Sequence, residues 1–374
     1  MRDESQVRIL FCIPRLVGGG AERQLSQLLP RLVERGIGVS LFSRLTRNEV
    51  ASLEAAGIAC YPIRAAGNHD PRLLGELAVA ARHSRAAIIH SWLTQMDVLG
   101  GAVALTTGRS WVLSERLSKD GYYGGWKDRL RRFLGRFADI VVANSEAGLD
   151  AWPGHPRRTI IANGIDLERI DDVGAAAWPI RRPLIVTMAR LEAHKGVGSV
   201  LKAVARLRGK YPDLMLVILG QGPLEAELRA LAAALGIEDN VIFAGFRPDA
   251  WSWLKAACLF VSASSVEGQP NAVMEAAAAG TPQVLSDIVM HRNTVGDGGA
   301  LFFEPSDPEA MAVAIAELLE NPACARAIVA SARSSVADFS VERAADLYAA
   351  LYRRTASGSP MPEAGRGASC SSAA

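Results

Sequence analysis

Short apolar runs rich in β-branched residues alternate along this chain with segments in which apolar residues recur every three or four positions. The runs cover residues 7–13, 38–43, 58–63, 87–91, 111–114 and 139–143, and then 184–188, 215–219, 241–244, 258–262, 283–286 and 300–303. Leu25, Leu28, Leu29 and Leu32 illustrate the helical spacing between them. Alternation of this kind predicts parallel βαβ units whose strands are buried on both faces.

The alternation is interrupted once, at residues 171–183, which are rich in alanine, glycine, proline and arginine and are predicted to be a linker. A chain of 374 residues suits two domains. We therefore predict two Rossmann-like, doubly wound parallel-sheet domains, 1–175 and 176–338, with ligands bound at the carboxyl ends of the strands. A helix at 339–354 is expected to pack back towards the first domain, and residues 355–374 are expected to be disordered.

Composition excludes several classes of protein. A formal net charge of +2 is too small for a nucleic-acid-binding protein, in which a basic excess across the domain is expected. The five cysteines form no CxxC pair, so neither a zinc knuckle nor a redox dithiol is indicated. The first apolar run is too short for a signal peptide, and no run reaches the ~18 residues of a membrane span. The expected location is the cytoplasm.

Three glycines, Gly18, Gly19 and Gly20, directly follow the first predicted strand and precede the first predicted helix. Backbone amides without a Cβ can approach a phosphate or a sugar closely, and a helix N-terminus favours an anion. Arg23 occupies the place of the third glycine of a dinucleotide fingerprint, so that motif is not supported. The alternative is a tight turn between strand and helix.

Arg190 and Lys195 lie in the loop after the first strand of the second half. Two fixed cations at this place can neutralise the charge that develops on a pyrophosphate leaving group without a metal ion. The alternative is that Arg190 and Lys195 are simply exposed to solvent, as most arginine and lysine side chains are. No cluster of His, Asp or Glu has metal-ligand spacing, so we expect neither a metal nor another cofactor.

Two glutamates flank the start of an alanine-rich helix in the second half: Glu267 lies in the preceding loop and Glu275 lies inside the helix. Pro270 suits the first helical turn, and the free amides around residues 270–272 would face the cleft with the positive end of the helix dipole. A carboxylate can accept hydrogen bonds from two neighbouring hydroxyls, such as those of a ribose. The pair could therefore hold two ends of a nucleotide sugar. An exposed helix glutamate is the alternative for Glu275.

Several motifs in order, over roughly residues 7–352, make the chain resemble glycosyltransferase family 4. They are the N-terminal GGGAER, the segment from Arg190 to Gly196, LGQGP at 219–223, FAGF at 243–246, the Glu267-x7-Glu275 element and AGTP at 279–282. The resemblance implies the two-domain GT-B fold with a cleft between the domains. It also implies an N-terminal domain that binds the acceptor, a C-terminal domain that binds an NDP-sugar donor, and transfer with retention of anomeric configuration.

The resemblance also implies a role for each matching residue. Glu267 would contact the transferred sugar and act in catalysis with Arg190 and Lys195, which would bind the diphosphate. Glu275 would hold the ribose. The remaining donor-binding positions are Gly19 and Gly20 over the phosphates, Pro270 and Asn271 beside the sugar or phosphate, and Phe246 by the nucleobase.

One departure from the family pattern concerns the acceptor side. Many members have a histidine where this chain has Ser114-Glu115-Arg116, a variant that resembles members building bacterial surface polysaccharides and exopolysaccharides. His90, at the end of the preceding predicted strand, could face the acceptor or could be a packed structural residue. No dedicated base is required, because the leaving phosphate can take the acceptor proton. The expected acceptor is a glycan or a lipid-linked glycan.

Residues 126–137 form a basic amphipathic pattern. Trp126, Leu130, Phe133, Leu134 and Phe137 share one face of the predicted helix, while arginines occupy the others. Such a helix could lie on anionic lipid, which would make the protein a peripheral partner of the inner membrane surface. The alternative is an ordinary amphipathic helix packed on the first sheet.

Two other functions are compatible with the same scaffold. An NDP-sugar 2-epimerase also holds a nucleotide sugar between two α/β halves, and a catalytically silent protein could keep the fold. The ordered motifs favour transfer over epimerisation. The presence of Glu267, Glu275, Arg190 and Lys195 argues against a silent protein.

Overall fold

The computed structural model of the chain describes residues 6–16, 19–68, 70–116, 124–178 and 182–358. The chain divides into two compact units, one comprising Met1–Gly164 with Val341–Ala374, and the other Ile165–Ser340. The change from the first unit to the second therefore comes before the boundary predicted at residues 175 and 176. Each unit is a parallel sheet covered by helices on both faces.

Seven parallel strands form the sheet of the first unit. They are β1 (Arg8–Arg15), β2 (Gly38–Arg44), β3 (Ala59–Pro62), β4 (Ile88–Trp92), β5 (Ser110–Glu115), β6 (Ile140–Ala143) and β7 (Arg158–Ile160). Their order is β3-β2-β1-β4-β5-β6-β7. The helices between them are α1 (Gly20–Glu34), α2 (Arg47–Ala55), α3 (Arg72–His83), α4 (Thr94–Thr107), α5 (Trp126–Gly135) and α6 (Glu146–Leu149).

Six parallel strands form the sheet of the second unit. They are β8 (Leu184–Met188), β9 (Met215–Leu219), β10 (Val241–Gly245), β11 (Leu259–Ser262), β12 (Gln283–Ser286) and β13 (Leu301–Phe303), in the order β10-β9-β8-β11-β12-β13. The helices are α7 (Leu167–Asp172), α8 (Val197–Leu207), α9 (Glu225–Ala234), α10 (Ala250–Ala256), α11 (Asn271–Ala278), α12 (Val289–Val295), α13 (Pro308–Glu320) and α14 (Pro322–Val336). The predicted doubly wound fold is confirmed, and every predicted strand is present within two residues of its expected bounds.

Burial on both faces explains why the strands appear in the sequence as continuous apolar runs. In β1, Ile9, Phe11 and Ile13 pack into the core on one side of the sheet, whereas Leu10 and Cys12 pack into the core on the other. The strand β7 was not predicted. Its three residues are only half-buried, so they lack the apolar run that marks a central strand.

The last described helix, α15 (Val341–Ser357), belongs to the first unit. Tyr348 and Tyr352 pack into the same core as α1, and Arg31 pairs with Glu342 at 3.1 Å. The helix continues to Ser357 and so includes the first residues of the segment expected to be disordered. Residues 359–374 of that segment lie outside the described residues.

The segment predicted to be a linker, 171–183, lies within the second unit. Its described part is held along α10: Lys255 Nζ donates to the carbonyls of Asp171 and Val173 at 2.8 and 2.6 Å, and the amide of Ala176 donates to the Ser252 carbonyl at 2.9 Å. The prediction of a linker here was wrong. A composition poor in large apolar residues does not reveal backbone hydrogen bonds to a distant helix.

Candidate functional site

The strand order of the second unit has a topological switch point between β8 and β11. These strands are neighbours in the sheet, while the chain proceeds from each of them to opposite sides. Loops that follow such a pair diverge and leave a crevice at the carboxyl edge, which is where α/β proteins bind ligands. The loop after β8 carries Arg190 and Lys195, and the loop after β11 carries Glu267.

Lys195 and Glu267 form the central contact of this edge. Lys195 Nζ lies 2.6 Å from Glu267 Oε1, although the residues are 72 positions apart. Their side chains are only 18% and 13% exposed, so solvent screens the pair less than it screens a surface pair. The structure therefore brings together two of the three residues predicted to be catalytic.

The two loops approach each other closely at Gly196, which ends a short 3-10 helix over Ala193–Lys195. Gly196 has φ +64°, and a Cβ there would lie 2.2 Å from the Ala263 carbonyl oxygen. The amide of Ser265 also donates to the His194 carbonyl at 2.8 Å. Only glycine fits this position without displacing the loop that carries Glu267.

Arg190 lies in the same loop but does not share this contact. Its side chain is 65% exposed, and the guanidinium pairs with Glu192 at 2.5 Å. Glu192 also lies 3.7 Å from the imidazole of His194, whose pKa is lowered by burial and by the neighbouring Lys195. Glu192 was not predicted as part of the site, because an acidic residue is an unexpected neighbour for cations proposed to bind a diphosphate.

Glu275, the second glutamate of the motif, is buried on α11, so the alternative of an exposed helix glutamate was wrong. Its Oε2 accepts a hydrogen bond from Trp251 Nε1 at 2.7 Å. Trp251 lies on α10, and the sequence contained no signal for this pairing. A carboxylate has two oxygen atoms, which together can accept several hydrogen bonds.

The start of α11 differs from the prediction in two details. Pro270 precedes the helix as its N-cap residue and does not occupy the first turn. The amide of Asn271 donates to the Gln269 carbonyl at 3.0 Å, so the expectation of a free amide was wrong at this position. Phe246 directly follows β10, and its ring is exposed, which suits contact with a flat ligand.

A buried histidine that was not predicted is connected to the loop of Glu267. His291 on α12 donates from Nδ1 to the Ser286 carbonyl at 2.8 Å, and Ser286 Oγ donates to the Ser264 carbonyl at 2.6 Å. Burial lowers the pKa of His291; the hydrogen bond to Ser286 and the charge of Glu267 raise it by less, and Lys195 lowers it slightly further. The chain of bonds fixes the loop three residues before Glu267. In the sequence, the only indication of this role was that His291 follows the end of a predicted strand by five residues.

The remaining predicted residues lie in the first unit. Gly19 is the N-cap residue of α1 and has extended backbone angles, and Gly20 begins the helix. Gly18 lies outside the described residues. The glycine-rich turn therefore precedes the helix that follows β1, as predicted, at the carboxyl edge of the first sheet.

His90 has an interior position that does not suit contact with an acceptor. The side chain is fully buried in the middle of β4, not at its end, with Nδ1 2.7 Å from the Tyr352 hydroxyl and Nε2 2.9 Å from Ser114 Oγ. Burial and the nearby charge of Arg116 hold its pKa well below the usual value. The structure thus favours the alternative, a packed histidine that links β4 and β5 to α15.

The segment Ser114-Glu115-Arg116 directs its side chains to different environments. Ser114 and Glu115 are buried, whereas Arg116 is half-buried at the carboxyl edge of the sheet. The Arg116 guanidinium lies 3.6 Å above the Trp92 ring and donates to Asn163 Oδ1 at 2.9 Å and to the Tyr348 hydroxyl at 2.7 Å. A guanidinium held in this way is a fixed cation at the carboxyl edge of the first sheet.

Beneath this edge lies a buried ionic network centred on Arg131 of α5. Arg131 Nε lies 2.6 Å from Asp97 Oδ2, and Nη1 lies 2.8 Å from Glu115 Oε2. Trp152 Nε1 donates to Glu115 at 2.8 Å, and Ser91 Oγ donates to Asp97 at 2.7 Å. Burial raises the pKa of Asp97 to about 6, although Arg131 opposes this shift.

This shift predicts a pH dependence of stability. Because Asp97 has a folded pKa of about 6, above the ordinary value of 3.8, the native state binds the extra proton and is stabilised as pH falls. We expect wild type to gain about 1 kcal/mol of unfolding free energy between pH 7 and pH 5 relative to Asp97→Asn, which has no such proton. Urea unfolding of both proteins at the two pH values measures the difference. An equal response in both would refute the assignment.

Neither a metal cluster nor a membrane-spanning helix is present in the part of the chain that the structure describes. No three His, Cys, Asp or Glu side chains in it are grouped so that they could hold a metal ion. None of its helices combines the length and the apolar composition needed to cross a bilayer.

Comparison with known families agrees with this geometry. The family described as Glycosyltransferase Family 4 matches residues 18–169, and the family described as Glycosyl transferases group 1 matches residues 170–335. A glycogen synthase of Mycobacterium tuberculosis is 31% identical, with 73% of this chain and 70% of that protein covered. The chain belongs to glycosyltransferase family 4. It is therefore a transferase enzyme.

Two further similarities extend over nearly the whole glycosyltransferase. The lipopolysaccharide core biosynthesis glycosyltransferase LpsE of Rhizobium meliloti is 28% identical, with 89% of this chain and 95% of that protein covered. The crystal structure of Anabaena HepE in complex with UDP and glucose has a TM-score of 0.79 at 20% identity and covers 92% of this chain and 99% of that one. The fold of this glycosyltransferase is GT-B.

Proposed function

We propose that this glycosyltransferase moves a sugar from a nucleotide diphosphate donor to a glycan or lipid-linked glycan, with retention of anomeric configuration and without a metal ion. The product would be a cell-surface polysaccharide or its precursor. This choice is supported by LpsE, whose name places it in lipopolysaccharide core biosynthesis, and by the Ser114-Glu115-Arg116 variant. The enzyme would act in the cytoplasm, in peripheral contact with the inner membrane surface.

The observation that carries the proposal is the contact between Lys195 and Glu267 at the switch point of the second sheet. The ammonium and the carboxylate lie 2.6 Å apart, so the cation could contact the diphosphate while the carboxylate contacts the sugar bonded to it. Lys195 would stabilise the charge that develops on the diphosphate oxygens, and Glu267 would contact the transferred sugar. Arg190, exposed in the same loop, would leave its ion pair with Glu192 and bind the diphosphate instead.

Other residues would hold the rest of the donor. Glu275, kept in place by Trp251, would accept hydrogen bonds from two ribose hydroxyls. Phe246 would contact the nucleobase, Pro270 and Asn271 would lie beside the sugar or phosphate, and Gly19 and Gly20 would approach the donor phosphates. In the transfer itself the leaving phosphate would take the proton of the acceptor hydroxyl. In the same step the bond from the anomeric carbon to phosphate breaks and the new glycosidic bond forms on the same face.

Thermal-shift measurements test the donor site. We expect one series among UDP, GDP, ADP and TDP, with their sugar conjugates, to raise the melting temperature in the presence of EDTA, because a ligand that binds only the native state stabilises it. At a concentration of 100 Kd the gain in unfolding free energy is about 2.7 kcal/mol. Glu275→Gln should weaken this shift. Absence of a shift with every nucleotide would contradict the donor site, and a shift only when Mn²⁺ is added would contradict metal independence.

A further inference from the structure

Helix α5 exposes its aromatic face and buries an arginine, the reverse of an ordinary amphipathic helix on a sheet. Trp126, Phe133 and Phe137 are 64%, 55% and 56% exposed. At about 100° per residue, Trp126, Phe133 and the half-buried Leu130 lie within a narrow stripe on the outer side of α5. Phe137 lies in the turn that follows the helix, with its ring centre 5.9 Å from that of Phe133. We call these four residues the α5 aromatic surface. The alternative reading of the sequence, with this face packed on the sheet, is therefore wrong for its aromatic residues.

The inner face of α5 explains this orientation. Arg131 is bound to the buried carboxylates of Asp97 and Glu115, so it cannot rotate outwards without leaving two unpaired charges in the interior. Gly135 lies on the same inner side, and a Cβ there would lie 2.3 Å from the Trp152 ring. Both contacts hold the aromatic residues towards solvent. Their exposure is thus built into the fold and is not a feature of a loosely attached helix.

Basic residues surround the α5 aromatic surface. Arg129 and Arg136 are exposed on one flank, and Lys127 is half-buried on the other, with its Nζ 5.7 Å from the centre of the Trp126 ring. Arg132 adds a fourth basic residue, against a single acidic residue, Asp128. Apolar side chains between cations match an occupant that is anionic at its surface and apolar beneath it.

We propose that the α5 aromatic surface docks on an anionic lipid bilayer, with its aromatic rings at the boundary of headgroups and acyl chains and its basic flanks on lipid phosphates. A second copy of the chain fits less well, because a two-fold contact through this surface would bring the basic flanks together. A nucleic-acid duplex would satisfy the cations but would leave three large apolar side chains unused, and the net charge of only +2 does not favour a single-stranded nucleic acid. The inference extends the membrane contact in the proposed function, but it can be tested without any transfer activity.

Vesicle flotation of the full chain at low salt tests the inference. We expect wild type to float with vesicles of phosphatidylglycerol and phosphatidylcholine and to stay in solution with phosphatidylcholine alone. The triple variant Trp126→Ser, Phe133→Ser, Phe137→Ser should bind anionic vesicles at least tenfold more weakly. A matched control with Leu74→Ser, Val79→Ser and Leu105→Ser, three exposed apolar residues of the same unit, should bind as wild type does.

A second variant measures how much the basic residues contribute to vesicle binding, independently of the aromatic substitutions. Arg129→Gln with Arg136→Gln, both exposed, should reduce flotation and its dependence on the fraction of anionic lipid. The inference is overturned by any of three results: wild type fails to bind anionic vesicles, the triple variant binds as wild type does, or the control loses binding equally. A lipid-free dimer that the triple variant converts to a monomer would identify a second copy as the occupant and would also overturn it. Loss of transfer with flotation intact would instead count against the proposed function alone.

Discussion

Replacing Glu267 by glutamine is expected to lower the turnover number for sugar transfer by about 10²–10³-fold, which is the usual effect of removing one preorganised electrostatic contact from an active site. Glutamine keeps the volume of the side chain and removes its charge. The Lys195 ammonium, now 2.6 Å from that carboxylate, would lose its anionic partner. Binding of the nucleotide diphosphate should persist, because the residues proposed to hold it are unchanged.

The measurement is steady-state kinetics with the nucleotide sugar identified by thermal shift, together with the affinity for the nucleotide diphosphate. Glu309→Gln is a matched control, because Glu309 also pairs with a cation, Arg206 at 2.6 Å, on helices away from the switch-point loops. That variant should have wild-type turnover. Full activity in Glu267→Gln, or an equal loss in the control, would contradict the role assigned to Glu267.

Replacing Arg131 by methionine is expected to lower the free energy of unfolding of the first unit by about 3–5 kcal/mol, because removing one partner of a buried ion pair leaves uncompensated charge. Methionine has a similar length and fills most of the space. It offers no donor to Asp97 or Glu115, whose side chains are completely buried. The neighbouring Trp152 bond to Glu115 would remain as a partial compensation.

Urea unfolding at pH 7 measures this effect. Arg129→Met is the control on the same helix, and its exposed side chain should change stability by less than about 0.5 kcal/mol. Adding Asp97→Asn and Glu115→Gln to Arg131→Met should restore part of the loss, because the orphaned charges are then gone. Equal stability of Arg131→Met and Arg129→Met would show that the network contributes nothing.

Local periodicity was sufficient to predict the fold, because each strand buried on both faces leaves a continuous apolar run in the sequence. The runs at 184–188, 215–219 and 283–286 became strands with those bounds, and the motif residues Lys195 and Glu267 were placed correctly in strand-end loops. The short strand β7 was missed for the same physical reason, since a half-buried edge of three residues has no such run.

Only the tertiary structure determined which side chains meet. The contact between Lys195 and Glu267 depends on β8 and β11 being neighbours, which follows from strand order and not from any local pattern. The burial of His90 depends on α15, more than two hundred residues away in the sequence. Likewise, periodicity identified an apolar stripe on α5, but Arg131 and Gly135, through partners on other elements, decided which face points outwards. A helical pattern specifies the faces of a helix, whereas packing against the rest of the chain selects the buried one.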